Sequence, residues 1–178
     1  MILHDLRYPI GTFDFDKEVP EKRIKSLIDQ IEVLPELLIR AVNNLSQEQL
    51  DTPYRPDGWT IRQVVHHLAD TNMNAYIRTK LAMTEDKPTI KPYAEALWAE
   101  LEDSQLPVEL STKLLEGLHK RWVTLLRSLS SSGLEWELIH PDLGTLTIKK
   151  LIALYAWHGN HHLVQITAGV SRMTLGSV

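Results

Sequence analysis

From Ile24 onward apolar residues recur three and four positions apart, at Ile24, Leu27, Ile28, Ile31, Leu34, Leu38, Ala41, Val42 and Leu45. That spacing lines one face of an α-helix. Pro20 suits the first turn of such a helix, with Glu21 beside it. Pro35 falls inside the pattern and is expected to kink or split the helix, because it lacks a backbone donor and crowds the preceding turn. The preceding residues, 1–19, read as an irregular arm carrying Pro9 and Gly11. Residues 46–58 hold two prolines and Asp57-Gly58 and read as a loop. Thr60 followed by Gln63 is a capping box. It opens a second helix running through Val64, Val65, Leu68, Asn72, Tyr76 and Leu81 to about Met83.

After a Pro-containing loop at 84–92, a short helix is expected at about 93–102, around Ala96, Leu97 and Leu101. Pro107 opens a longer one. Its buried face is read from Leu110, Leu114, Leu115, Leu118, Trp122, Leu125, Leu126 and Leu129, and Ser130 to Gly133 end it. Two β-prone pieces, Trp136–Ile139 and Thr145–Ile148, flank a turn at His140 to Gly144, so a small hairpin fits within 136–148. Thr147 can cap a last helix ending near Gly169, which leaves Val170–Val178 as a weakly anchored tail. Four long helices with modest connections predict an all-α fold, a four-helix bundle forming one domain over residues 1–178.

Composition narrows the function classes. The net charge is −4, with no basic run interleaved with aromatics, which argues against nucleic acid as a partner. The chain has no cysteine, and therefore no disulfide, zinc-thiolate site or thiol nucleophile of its own; this fits a reducing cytoplasm. No apolar run approaches the ~18–20 residues that span a bilayer, and no secretory leader is read at Met1 to Pro9, so no membrane partner is expected.

The chemistry concentrates in the last helix, at Trp157-His158-Gly159-Asn160-His161-His162. At about 100° per residue, His158 and His162 share the face of Leu151, Leu154, Tyr155, Gln165 and Ile166, while His161 sits at its edge beside Leu154 and Trp157. Two imidazoles at i and i+4 on an apolar face can hold a metal, or can be an ordinary hydrogen-bonded pair. On the second helix His66 and His67 flank the apolar face at similar angles, and periodicity does not choose between them. His4, His119 and His140 show no ligand spacing and read as structural, with His119 at a solvated helix edge.

Gly58 to Asp70, followed about ninety residues later by Tyr155-x-x-His158-x-x-x-His162-x-x-x-Ile166, resembles the DinB/YfiT-like superfamily. The likeness extends from Tyr8-Pro9-Ile10-Gly11 through Leu50 to Arg55 and covers nearly the whole chain. The resemblance implies an up-down-down-up bundle, often a homodimer. It also implies one divalent metal per chain, zinc or nickel, on three histidines that map onto His67, His158 and His162. Such a donor set leaves a position open for water or a small-molecule substrate. The expected function is metal-dependent hydrolysis. The alternatives are a bacillithiol-type thiol S-transferase, with the small thiol activated as metal-bound thiolate, and a non-catalytic module stabilised by its metal. Asp70 and Gln165 are candidates to support the ligands; no catalytic base is assigned.

Overall fold

The computed structural model describes residues 5–175. Its helices are α1 (Glu21–Val42), α2 (Gln47–Leu50), α3 (Ile61–Thr84), α4 (Glu95–Trp98), α5 (Val108–Arg127) and α6 (Ile148–Leu175). A hairpin, β1 (Glu137–His140) and β2 (Gly144–Thr147), joins α5 to α6, with Leu138 opposite Leu146. The hairpin falls inside the predicted 136–148.

Two apolar clusters fix the direction of each long helix. One gathers Ile24 and Ile28 of α1, Ala75 and Ala82 of α3, Trp122 and Leu126 of α5, and Ile148 and Ile152 of α6. The other gathers Leu34 and Leu38, then Val64 and Leu68, then Val108 and Leu115, and finally Ile166. The starts of α1 and α6 therefore lie at the end where α3 and α5 finish. The bundle is up-down-down-up, as the resemblance implied. Since α3 and α5 run the same way, the chain must travel back along the bundle between them. Residues 85–107 make that crossover. They are pinned to α3 by Gln63 Nε2, which donates to Ala99 O (2.9 Å), and by His66 Nε2, which lies 2.9 Å from Leu106 O.

Pro35 does not split α1, which is continuous from Glu21 to Val42 with Pro35 buried in it. A proline at 35 withholds the N–H that would reach the carbonyl four residues earlier, at Ile31. His119 of α5 replaces it: its Nδ1 donates to Ile31 O at 2.6 Å. His119 is thus fully buried rather than at a solvated edge. The buried stripe of α5 is rotated from the predicted one. Ser111, Thr112, Leu115, His119, Trp122, Val123 and Leu126 face inward, while Leu110 and Leu114 are exposed. Polar members with specific partners hide such a stripe from a hydropathy reading.

Three boundaries also differ. The loop at 46–58 holds a helical turn, α2, capped by Ser46 and Gln49 in a reciprocal box. The helix expected at 93–102 is shorter, Glu95–Trp98, with Leu97 and Leu101 exposed. The last helix does not stop at Gly169 but continues to Leu175. Gly169 serves close approach instead: a Cβ there would lie 3.2 Å from Tyr54 Cα. The predicted tail is helical as far as Leu175, and its remaining residues, like His4 and the rest of residues 1–4, lie outside the described ones.

Candidate metal centre

The first half of α3 is buried on nearly all sides, from Ile61 and Arg62 through Val64 to Ala69. One flank meets the crossover and α5, and the other meets α6. His66 takes the first flank, with Nδ1 2.7 Å from Ser111 Oγ and Nε2 against Leu106 O. His67 takes the second. The ambiguity left by the periodicity is resolved by which neighbour each ring meets.

On α6, His158 and His162 point at His67. His67 Nε2 is 3.4 Å from His158 Nε2, and His162 Nε2 is 3.1 Å from His158 Nε2. One ring nitrogen from each of the three lies within 4.8 Å of the others. Close approach of α1 helps to seat this segment of α6, because a Cβ on Gly159 would stand 2.5 Å from Leu34 Cδ2.

Burial keeps all three rings neutral. The His67 imidazole is held down at about 4 by desolvation. His158 and His162 are held well below the usual histidine range, first by burial and then by neighbouring histidine charge. Gln165 fixes one tautomer. Its amide nitrogen donates to Arg7 O (2.8 Å), so its oxygen faces His162 Nδ1 at 2.8 Å and accepts that proton. His162 Nε2 is left with a lone pair, 3.1 Å from His158 Nε2. Nitrogens about 2.05 Å from a tetrahedral cation would stand about 3.3 Å from one another. The two Nε2 separations match that spacing, and a divalent cation would turn crowded lone pairs into ligands. The donor set fits a metal.

His161 stands apart from the cluster. Its ring stacks on Trp157 (4.8 Å, 21°), and its Nε2 accepts from the Gln165 amide at 2.9 Å. Of the two supporting candidates, Gln165 touches the cluster and Asp70 does not. Among the described residues the Asp70 carboxyl hydrogen-bonds to none of the three histidines. Burial and the nearby Asp103 raise it to about 6.

Two cavities meet at the cluster. The first, about 410 Å³, has the three histidines in its wall with Tyr8, Tyr54, Arg55 and Trp59. The second, about 460 Å³, is lined by Arg78, Tyr93, His140, Tyr155 and His158. Glu95 and Ala96 of the crossover border both. The N-terminal arm roofs the first cavity through Arg7 and Tyr8. Arg78, Tyr93, Glu95 and His140 carried no signal of a site in the sequence, because each comes from an element that only the fold brings beside the histidines.

The sequence profile of the DinB superfamily matches residues 30–166. A protein of Bacillus cereus (strain AH820), provisionally named a metal-dependent hydrolase, is 55% identical over 166 residues, covering 93% of this chain and 96% of that one. A protein of Bacillus thuringiensis subsp. konkukian with the same provisional name matches at the same identity and coverage. Among solved structures, YfiT from Bacillus subtilis is described as a probable metal-dependent hydrolase with an unusual four-helix bundle topology. It superposes with a TM-score of 0.91 at 43% identity, covering 95% of this chain and 98% of that one.

Proposed function

Since the chain belongs to the DinB superfamily, we propose that it is a metal-dependent hydrolase whose single divalent cation, zinc or nickel, is held by His67, His158 and His162. The observation that carries this reading is the gathering of three neutral imidazoles, one ring nitrogen of each within 4.8 Å of the others, in a cavity wall. A divalent cation held by three neutral nitrogens supplies Lewis acidity and a lowered pKa for water. The chain's own residues do the rest. The Gln165 amide holds His162 in the tautomer that offers Nε2. Trp59 lies against the His67 ring, with centroids 4.8 Å apart, and limits its rotation. Glu95, the carboxylate bordering both cavities, is the group we assign to accept a proton from water. A small-molecule substrate fits cavities of this size. We assign the homodimer to the exposed apolar residues Leu97, Leu101, Leu106, Leu110 and Leu114, and the cytoplasm as its compartment from the absence of cysteine. No described helix is long and apolar enough to cross a membrane.

The test is a panel of esters and amides offered to zinc- or nickel-loaded protein, with and without a chelator. Cleavage that disappears on chelation and returns with metal supports hydrolysis. One observation favours thiol transfer as a second reading: two cavities flank the cluster, as an enzyme joining two substrates would require. A small thiol offered with a haloarene gives conjugate only under that reading.

Replacing Gln165 by alanine is expected to weaken metal binding by about 10–100-fold, the usual effect of removing a hydrogen-bond partner of a ligating histidine. Competition with a chromophoric chelator measures it. Unchanged affinity would remove Gln165 from the site.

A further inference from the structure

The second cavity is rich in donors. Arg78 of α3 forms no ion pair among the described residues. Its Nη1 donates to Tyr155 OH at 3.0 Å and its Nη2 to Lys91 O at 3.4 Å. A guanidinium carries five N–H groups, so most of its donor capacity remains. The Tyr155 hydroxyl accepts from Arg78 and keeps its own proton to donate. His140 Nδ1 accepts the Asp142 backbone N–H at 3.2 Å, which leaves the ring proton on Nε2. Burial, with the Arg78 charge, lowers the pKa of that ring, against the opposing Asp142 carboxylate 3.9 Å from its Nδ1.

The acids bordering the cavity, Glu95 and Asp142, are exposed, while Tyr155 is buried and Arg78 half-buried. Positive charge thus lies inward and negative charge outward. The inner wall ends at His158, one member of the histidine cluster.

The geometry points to this cavity as the seat of a substrate carboxylate, gripped by Arg78 with Tyr155 and His140, while the reacting group of the same molecule reaches His158. The planar fork of an arginine takes both oxygens of a carboxylate, and a half-buried guanidinium without an acid partner is poised for one. A small carboxylic acid fits well within about 460 Å³. This inference rests on the metal reading only for the direction in which the substrate extends. The carboxylate seat itself is built without the histidines.

The test uses glutarate and its neutral diamide, glutaramide, titrated by calorimetry into metal-loaded and metal-free protein. Metal-free protein should bind glutarate at least about tenfold more tightly than glutaramide. Arg78→Gln should remove about 10–100-fold of that affinity, the range for a hydrogen bond to a charged group. Arg55→Gln, which alters the first cavity, should leave it unchanged. Arg78 also braces the crossover at Lys91, so Arg78→Lys provides a second variant. It keeps the charge without the fork and should bind glutarate at an intermediate level. Equal binding of glutarate and glutaramide, glutarate binding untouched by Arg78→Gln, or loss through Arg55→Gln instead would overturn the proposal. If Arg78-dependent binding is found but the protein takes up no divalent metal, the carboxylate seat stands and the metal reading falls. If metal is taken up but carboxylate binding never depends on Arg78, the reverse holds.

Discussion

Replacing His158 by alanine will lower divalent-metal affinity by more than about 100-fold, beyond the loss expected when only a partner of a ligand is removed. Chelator-dependent hydrolysis will vanish with the metal. His158 is the hinge of the cluster, since its Nε2 makes both close approaches, to His67 and to His162. Without it, the two remaining nitrogens leave a divalent cation short of the three protein ligands that an open catalytic site uses. The matched control is His161→Ala. That ring stacks on Trp157 and faces Gln165, so its removal should leave metal content near the wild-type level. Metal analysis of both purified variants, after identical loading and desalting, reads the difference. Equal metal loss in the two would mean that the α6 face has been assigned wrongly.

The second large effect is expected on acidification of the metal-free protein. His67 and His119 each have an imidazole held at about 4 by burial, against about 6.5 in an unfolded chain. A histidine depressed in the folded state contributes its full stability above 6.5 and loses it as the pH falls towards 4, because the unfolded chain takes up the proton first. At pH 5 each such group lowers the unfolding free energy by about 2 kcal/mol relative to pH 8. Two of them remove about 4 kcal/mol, a large share of the 5–15 kcal/mol typical of a folded domain. His158 and His162 shift in the same direction and add to the loss. Urea denaturation at pH 8 and pH 5 measures it, and a stability that stays flat between those values would contradict the burial argument.

His119 allows that effect to be isolated away from the cluster. His119→Leu should reduce the acid-induced loss by about 2 kcal/mol. At neutral pH it should destabilise, because Ile31 O loses the donor that compensates for Pro35. Pro35→Ala supplies a backbone N–H for that carbonyl, so His119→Leu should be less damaging in the Pro35→Ala background. A coupling of about 1 kcal/mol between the two sites would identify the shared carbonyl. Strict additivity would show that each residue acts alone.

A local repeat is sufficient for some of these features and useless for others. The four long helices were legible because an amphipathic stripe repeats within each segment, whatever it packs against. The inward pairing of His158 with His162 was legible for the same reason: two residues four apart on a helix must share a face. The hairpin at 137–147 was legible from its turn residues. The choice of His67 over His66 was not, since α3 is buried on both flanks and only the identity of each neighbour separates the rings. Resemblance supplied that choice at the level of sequence, and the packing supplies its physical reason.

The continuity of α1 through Pro35 is supported by a histidine 88 residues beyond Ile31, whose carbonyl it meets, and the buried polar stripe of α5 exists only because its partners are in place. The two cavities, and Arg78 with no ion pair among the described residues, draw on α3, the crossover, the hairpin and α6 together. Sequence by itself determined the four long helices and the histidine pair on α6, because those follow from the period of one helix. The side of α3 that each of His66 and His67 faces, the satisfaction of buried polar groups and the shape of the cavities were decided by the tertiary structure, because each depends on which surfaces the up-down-down-up crossing brings into contact.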